Sequence, residues 1–201
     1  MAWIKTIDYD NADPKLKKIY DKVKGPDNNV DNVLSIHSLR PHTLVGHMAL
    51  YKNVLHNSNN ELSKWYLETL GVYTSFLNQC NYCVQHHFTG LQRLLKDDEK
   101  AAKILAAVKS DSLQEVLDEK YYGGSVYAKL LTLNHSGIDK STIDELRNLD
   151  FSDGEILEVN QVTSYFNYVN RMVVGLGVDL AGDILGLSPN DSDDPDNWSH
   201  S

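Results

Sequence analysis

Glu68-Thr-Leu-Gly-Val-Tyr-Thr-Ser-Phe-Leu-Asn-Gln-Cys80-Asn-Tyr-Cys83-Val-Gln-His86-His87 contains both cysteines of this chain of 201 residues, and its reading decides the fold. Ser63, just upstream, reads as the cap of a helix running to about Leu77. Asn78 reads as the cap of a second helix, which carries the cysteines and continues through Leu91, Leu94 and Leu95. At about 100° per residue, Cys83 falls about 60° around that axis from Cys80, and His87 within about 20° of Cys80. All three side chains therefore share one stripe.

That spacing has chemical content. An i, i+3 pair separates its Cα atoms by about 5 Å, within the range a disulfide tolerates, so the pair can close and reopen without unfolding. A helix start favours negative charge, and a helix N-terminus or a neighbouring histidine lowers a thiol from its free pKa of about 8.5. His87, one turn beyond Cys83, can take its proton, and Glu68 on the preceding helix can orient His87. A single cysteine on an apolar helix face is ordinarily a small core residue. Two at this spacing beside a histidine, in a chain with no others, point instead to redox chemistry on a small substrate. Zinc is the competing reading, with His86, His87 and both thiols as ligands. His86 points about 100° away from His87, however, and four ligands from two turns of one helix rarely close a tetrahedron. No metal and no cofactor are assigned.

Outward from this stretch the punctuation stays helical. Asp13-Pro14 predicts a helix over 15–24, stopped by Gly25-Pro26. A short helix is expected over 30–39, and Pro41 opens another with Leu44, Met48, Tyr51 and Leu55 at spacings of three and four. Further helices are expected over 99–108, over 111–120 with Gly123-Gly124 as its stop, and over 126–133, 140–149 and 152–176. Alternating strand patterns are absent, so the fold class is all-α. Ser63 to Asn78 is echoed by Ser152 to Asn167, with Thr74-Ser75 over Thr163-Ser164. Two helical hairpins about a pseudo-two-fold axis would produce such an echo. Val169 and Met172 stand where the cysteines would recur, so the redox site occurs once.

The expected organisation is one helical domain over 1–187 and an acidic, flexible tail over 188–201, too polar to offset its ordering entropy. Trp198 is the one residue there that offers an anchor. A formal net charge of -9 argues against non-specific nucleic-acid binding. No apolar run approaches the roughly 18–20 residues a membrane span needs. The opening MAWIKTIDYDNADP lacks the basic end and apolar stretch of a secretory signal, so a cytoplasmic protein is expected. His37, His42, His47 and His56 read as surface or core residues in preference to pocket-lining ones. Arg171, with Asn160, Asn167 and Asn170, reads as a bridge between helices or protomers.

The chain resembles the carboxymuconolactone decarboxylase superfamily, in its alkylhydroperoxidase D-like branch of peroxidase-related proteins. The signature is a glutamate, eleven intervening residues, Cys-x-x-Cys and a histidine four further on, met here by Glu68, Cys80, Cys83 and His87. Asp31-Asn-Val-Leu, His37-Ser-Leu-Arg-Pro41, Phe151-Ser-Asp-Gly-Glu-Ile-Leu157 and Tyr165-Phe-Asn-Tyr-Val-Asn-Arg171 extend the likeness over residues 3–187. What it implies is an all-helical domain forming homo-oligomers: dimers, trimers or hexamers. It implies reduction of small hydroperoxides, with Cys83 attacking to become a sulfenic acid and Cys80 resolving it to a disulfide. Glu68 and His87 become a proton relay, and a dithiol or lipoyl-type reductant protein the electron donor. One departure stands. Tyr82 occupies the place where the best-characterised hydroperoxidase has a second histidine, and a tyrosine of pKa about 10 is a poor shuttle. An alternative is a redox-responsive oligomeric interaction protein, in which the same pair switches an interface with little turnover.

Overall fold

The computed structural model describes residues 1–189, 193–194 and 197–198. Of the expected tail, 190–192, 195–196 and 199–201 lie outside the described residues. Nine α-helices follow one another among the described residues, without a strand: α1 Pro14–Val23, α2 Asn32–Ser35, α3 Pro41–Leu55, α4 Lys64–Leu77, α5 Asn81–Leu95, α6 Asp98–Ser110, α7 Glu119–Leu133, α8 Lys140–Asn148 and α9 Asp153–Gly175. None of them is long and apolar enough to cross a membrane.

Their starts are written in local chemistry. Asp13, Asp97 and Asp118 each accept a first-turn backbone N–H, at the heads of α1, α6 and α7. Asp139 with Thr142, and Ser152 with Glu155, form reciprocal capping boxes at α8 and α9. Pro14 and Pro41 open α1 and α3, where a missing N–H costs nothing.

The bundle is built around α4, whose residues from Tyr66 to Ser75 are all buried. It packs on α5, α7 and α9. Gly71 allows a close approach to α9, because a Cβ there would overlap the Phe166 ring. The echoed segments are α4 and the first two-thirds of α9, which run side by side in the same direction. At one end the Glu158 carboxylate accepts the Glu61 and Leu62 N–H groups just before α4. At the other, Asn78 donates to Asn167, its counterpart 89 residues on, at 3.1 Å. After Asn78 the chain turns into α5, whereas after Asn167 α9 runs straight on.

Three expectations need correction. Gly123-Gly124 does not stop a helix; α7 passes through both. Cβ atoms there would overlap Leu149 Cδ1 and Tyr66 Oη, so the glycines permit close packing rather than a turn. Residues 111–120 hold only a 3-10 turn at Leu113–Glu115 before α7 begins, and α-helix within 30–39 is confined to α2. Trp198 is buried, with Lys22 Nζ 5.0 Å from the centre of its ring.

Candidate active site

The turn between α4 and α5 sets the site. The Cys80 N–H reaches Ser75 O and the Gln79 N–H reaches Phe76 O, both at 2.9 Å, around a left-handed Gln79 with φ 57°. This is a Schellman closure, made with glutamine where glycine is usual. It corrects the reading of Asn78, which ends α4 instead of opening α5. The N-cap of α5 is Cys80 itself, and Cys83 is the third helical residue. The dithiol thus occupies the two positions that a capping box gives to serine and glutamate. Both cysteines are buried and unbonded, with their Sγ atoms 2.6 Å apart.

Their protons are shared unequally. The Cys83 thiol, hydrogen-bonded to Cys80, holds the Cys80 thiol below its ordinary value, with the Cys83 backbone N–H and Asn170 acting the same way against burial. Burial first, and then Cys80, pushes the Cys83 thiol well up. Of the two, Cys80 is therefore the more acidic thiol, and Cys83 the one that needs a base to lose its proton. Asn170 is 1 % exposed and is fixed by donating to Ser75 Oγ and accepting from Asn78.

The structure brings together all four residues singled out from the sequence. Glu68 projects from the buried face of α4, and its Oε2 lies 2.8 Å from His87 Nδ1. A carboxylate can only accept, so His87 donates from Nδ1; in the neutral ring Nε2 is then the acceptor. His56 stands 3.9 Å from the other Glu68 oxygen, and Phe166 meets the His87 ring edge-on at 4.6 Å. Cys83, Glu68 and His87 line one cavity of about 50 Å³, walled also by Tyr51, Tyr165 and His47. That volume holds a few waters or one small molecule.

A second polar group stands behind two lining residues of the cavity, Tyr82 and His86, built by the strap that follows α9. Asp183 accepts from Tyr82 Oη and from the Asn32 N–H, and lies 3.3 Å from His86 Nε2. Tyr82, the departure from the signature, thus serves as a hydrogen-bond donor: burial first, and the Asp183 charge with it, holds its phenol protonated. Next to it Asp31 is 8 % exposed, faces the cavity and has no hydrogen-bond partner on Oδ1. Among the described residues no group of three or more His, Cys, Asp or Glu is arranged to hold a metal ion.

Burial raises the Asp31 carboxyl from 3.8 to about 6, with nearby Asp183 adding to the rise and His86 opposing it. Folding thus favours its acid form. The contribution to stability is full below 3.8 and is lost as pH rises through about 6. At 1.36 kcal/mol per pK unit the loss approaches about 3 kcal/mol. Asp31→Asn is expected to gain about 2 kcal/mol on the parent between about pH 4.5 and 7.5, measured by urea denaturation. A difference independent of pH would refute the assignment.

No family model matches the sequence, and no curated protein is significantly similar to it. Solved structures are similar in fold. One, described as an alkylhydroperoxidase AhpD core and an uncharacterized peroxidase-related protein from Ralstonia eutropha JMP134, superposes with a TM-score of 0.76 at 20% identity, over 89% of this chain and 92% of that one. The fold is AhpD-like. An uncharacterized peroxidase-related protein from Silicibacter sp. TM1040 gives 0.71 at 24% identity, over 84% of this chain and 87% of its own. A cysteine-to-alanine variant of the debrominase Bmp8, in complex with 2,3,4-tribromopyrrole, gives 0.66 at 15% identity, over 83% and 86%. AhpD-like architecture thus occurs in proteins of differing chemistry, and the function of this chain rests on its own site.

Several groups around the site of this AhpD-like fold lie outside the reading of the four residues. His47 and His56, read as surface or core residues, stand at the cavity and at Glu68, while His42 is exposed. Asn170 supports the thiols, whereas Arg171 only folds back on Asn167 of its own helix. Asp183 had no local signal, because its partners Tyr82 and Asn32 lie 101 and 151 residues away.

Proposed function

We propose that this chain is a thiol-dependent hydroperoxide reductase. The supporting observation is that two thiols in contact sit at the start of one helix, and one of them shares a small cavity with a hydrogen-bonded carboxylate–imidazole pair. His87 Nε2 takes the Cys83 proton, and the thiolate attacks the distal oxygen of a hydroperoxide. The O–O bond breaks, Cys83 becomes a sulfenic acid, and the leaving oxygen is protonated from His87. Cys80, already the more acidic thiol, then attacks the Cys83 sulfur. Hydroxide leaves and is protonated to water, so two thiols and ROOH give a disulfide, ROH and water. A dithiol reductant restores the pair.

A cavity of about 50 Å³ favours compact peroxides. One equivalent of hydrogen peroxide is expected to convert the prereduced protein fully to the Cys80–Cys83 disulfide, read as the loss of two hydrogens by intact mass. Cumene hydroperoxide should react on the order of tenfold more slowly or worse. Prereduced protein that keeps both thiols free after hydrogen peroxide would overturn the proposal.

A further inference from the structure

Asp31 stands at the N-cap of α2, where an aspartate ordinarily accepts a first-turn N–H, yet its side chain makes no such bond. Asp13, Asp97, Asp118 and Asp139 all cap their own helices in that way. At α2 other groups take over: the Asn32 N–H reaches Asp183 Oδ1 at 3.0 Å, and the Val33 N–H reaches Tyr82 Oη at 3.1 Å. The Asp31 carboxyl is thereby released from its helix. It lies buried in the wall of the Cys83 cavity, with Oδ1 unbonded. A buried polar group left unbonded is costly, and one retained beside a reactive thiol points to what enters there.

Charge in that wall is one-sided. Among the described residues lining the cavity there is no lysine or arginine, and the carboxyl groups are Asp31 and Glu68. Glu68 has an imidazole near each oxygen, His87 at 2.8 Å and His56 at 3.9 Å, whereas Asp31 Oδ1 has no partner. Resting on the dithiol reading above, we propose that Asp31 selects the oxidant by charge: ionised, it turns away anionic peroxides and admits neutral ones, and as the acid it admits both. A like charge in a small, poorly screened space is a repulsive element by which a site rejects the wrong partner. The chemistry is the same for either class. The Cys83 thiolate takes the terminal oxygen, the O–O bond breaks, and the leaving oxygen departs with the electron pair. Two thiols and peroxymonosulfate thus give the disulfide, hydrogensulfate and water.

Burial keeps Asp31 in its acid form up to about pH 6, with His86 opposing and Asp183 adding. The filter therefore closes as pH rises through about 6 and opens as it falls. Other titratable groups share the space: His47 and Tyr51 from α3, Glu68 from α4, Tyr82, Cys83, His86 and His87 from α5, and Tyr165 from α9, with Asp183 behind Tyr82. Burial holds the three phenols well above their usual value, so they stay protonated. Ionisation of Cys83 scales the rates of both oxidants alike and cancels in their ratio. The imidazoles and Glu68 are common to parent and variant, so comparing that ratio between the two isolates Asp31.

Peroxymonosulfate, an anion, and tert-butyl hydroperoxide, neutral and of the same tetrahedral shape, are the probes. Rates of Cys83 oxidation are measured in full-length Cys80→Ser protein, where the other thiol is gone, by mass after a dimedone quench. At about pH 7.5, Asp31→Asn is expected to raise the peroxymonosulfate rate, relative to that of tert-butyl hydroperoxide, on the order of tenfold. The gain should vanish by about pH 4.5, where the parent's Asp31 has taken up its proton. Asp31→Leu, which lacks both the charge and any hydrogen bond, should select as Asp31→Asn does. An oxidant ratio that neither substitution changes, or a change that does not depend on pH, overturns the proposal. So does an effect of Asp31→Asn that Asp31→Leu lacks, which would mark a hydrogen bond rather than a charge. Oxidation of Cys83 that proceeds while these tests fail sinks this inference alone; a Cys83 that neither peroxide oxidises sinks the peroxidase reading instead.

Discussion

Cys83→Ser is expected to consume no hydroperoxide at all, and His87→Ala to consume it about 10²–10⁴ times more slowly than the parent. The two losses differ in kind. Serine cannot be oxidised to a sulfenic acid or joined to Cys80, so no turnover survives. In His87→Ala the nucleophile remains, but burial holds the Cys83 thiol up and the base oriented by Glu68 is gone. The deficit should therefore shrink as pH rises and hydroxide removes the proton instead. Cys80→Ser completes the set by stranding Cys83 as a sulfenic acid, trapped by dimedone after one equivalent of peroxide. Stopped-flow peroxide consumption against pH checks the series. A His87→Ala deficit that is flat with pH, or a competent Cys83→Ser, would contradict the roles assigned.

Gly71→Ala is expected to lose about 2 kcal/mol of stability and to slow the peroxide reaction by up to about 10²-fold. Alanine would ordinarily stabilise a helix interior by about 1 kcal/mol over glycine. Here the added methyl would overlap two carbons of the Phe166 ring, which is fully buried and cannot retreat into solvent. Overpacking of this kind costs about 1–3 kcal/mol. Phe166 rests edge-on against His87, so its displacement moves the imidazole as well. Denaturant midpoints measure the first effect and single-turnover rates the second. A Gly71→Ala protein as stable as the parent would show that α4 and α9 are less tightly apposed than described.

The four candidate groups were readable in advance because they lie within twenty consecutive residues, where helix geometry alone decides which side chains meet. Glu68, Cys80, Cys83 and His87 needed no tertiary information beyond a tight turn. The detail of that turn was not readable. Asparagine suits either end of a helix, and Asn78 was resolved only by the left-handed Gln79, a conformation glutamine does not announce. Gly123-Gly124 misled for a similar reason. A glycine pair serves equally to end a helix or to admit a neighbour, and Leu149 and Tyr66, the neighbours admitted, are far away in sequence. Asp31, Asp183 and Asn170 acquire their meaning only by meeting the α5 start in space.

Chemistry and choosiness are therefore encoded in separate parts of the chain. The hairpin of α4 and α5 carries Glu68, both cysteines and His87. Other walls of the Cys83 cavity are lent by Asp31 and by Gly186 and Leu187, which the chain delivers from its two remote ends. Substitutions in those borrowed parts can retune which molecules gain admission while leaving the reaction untouched, so a lineage built on this plan is free to change its diet without relearning its trade.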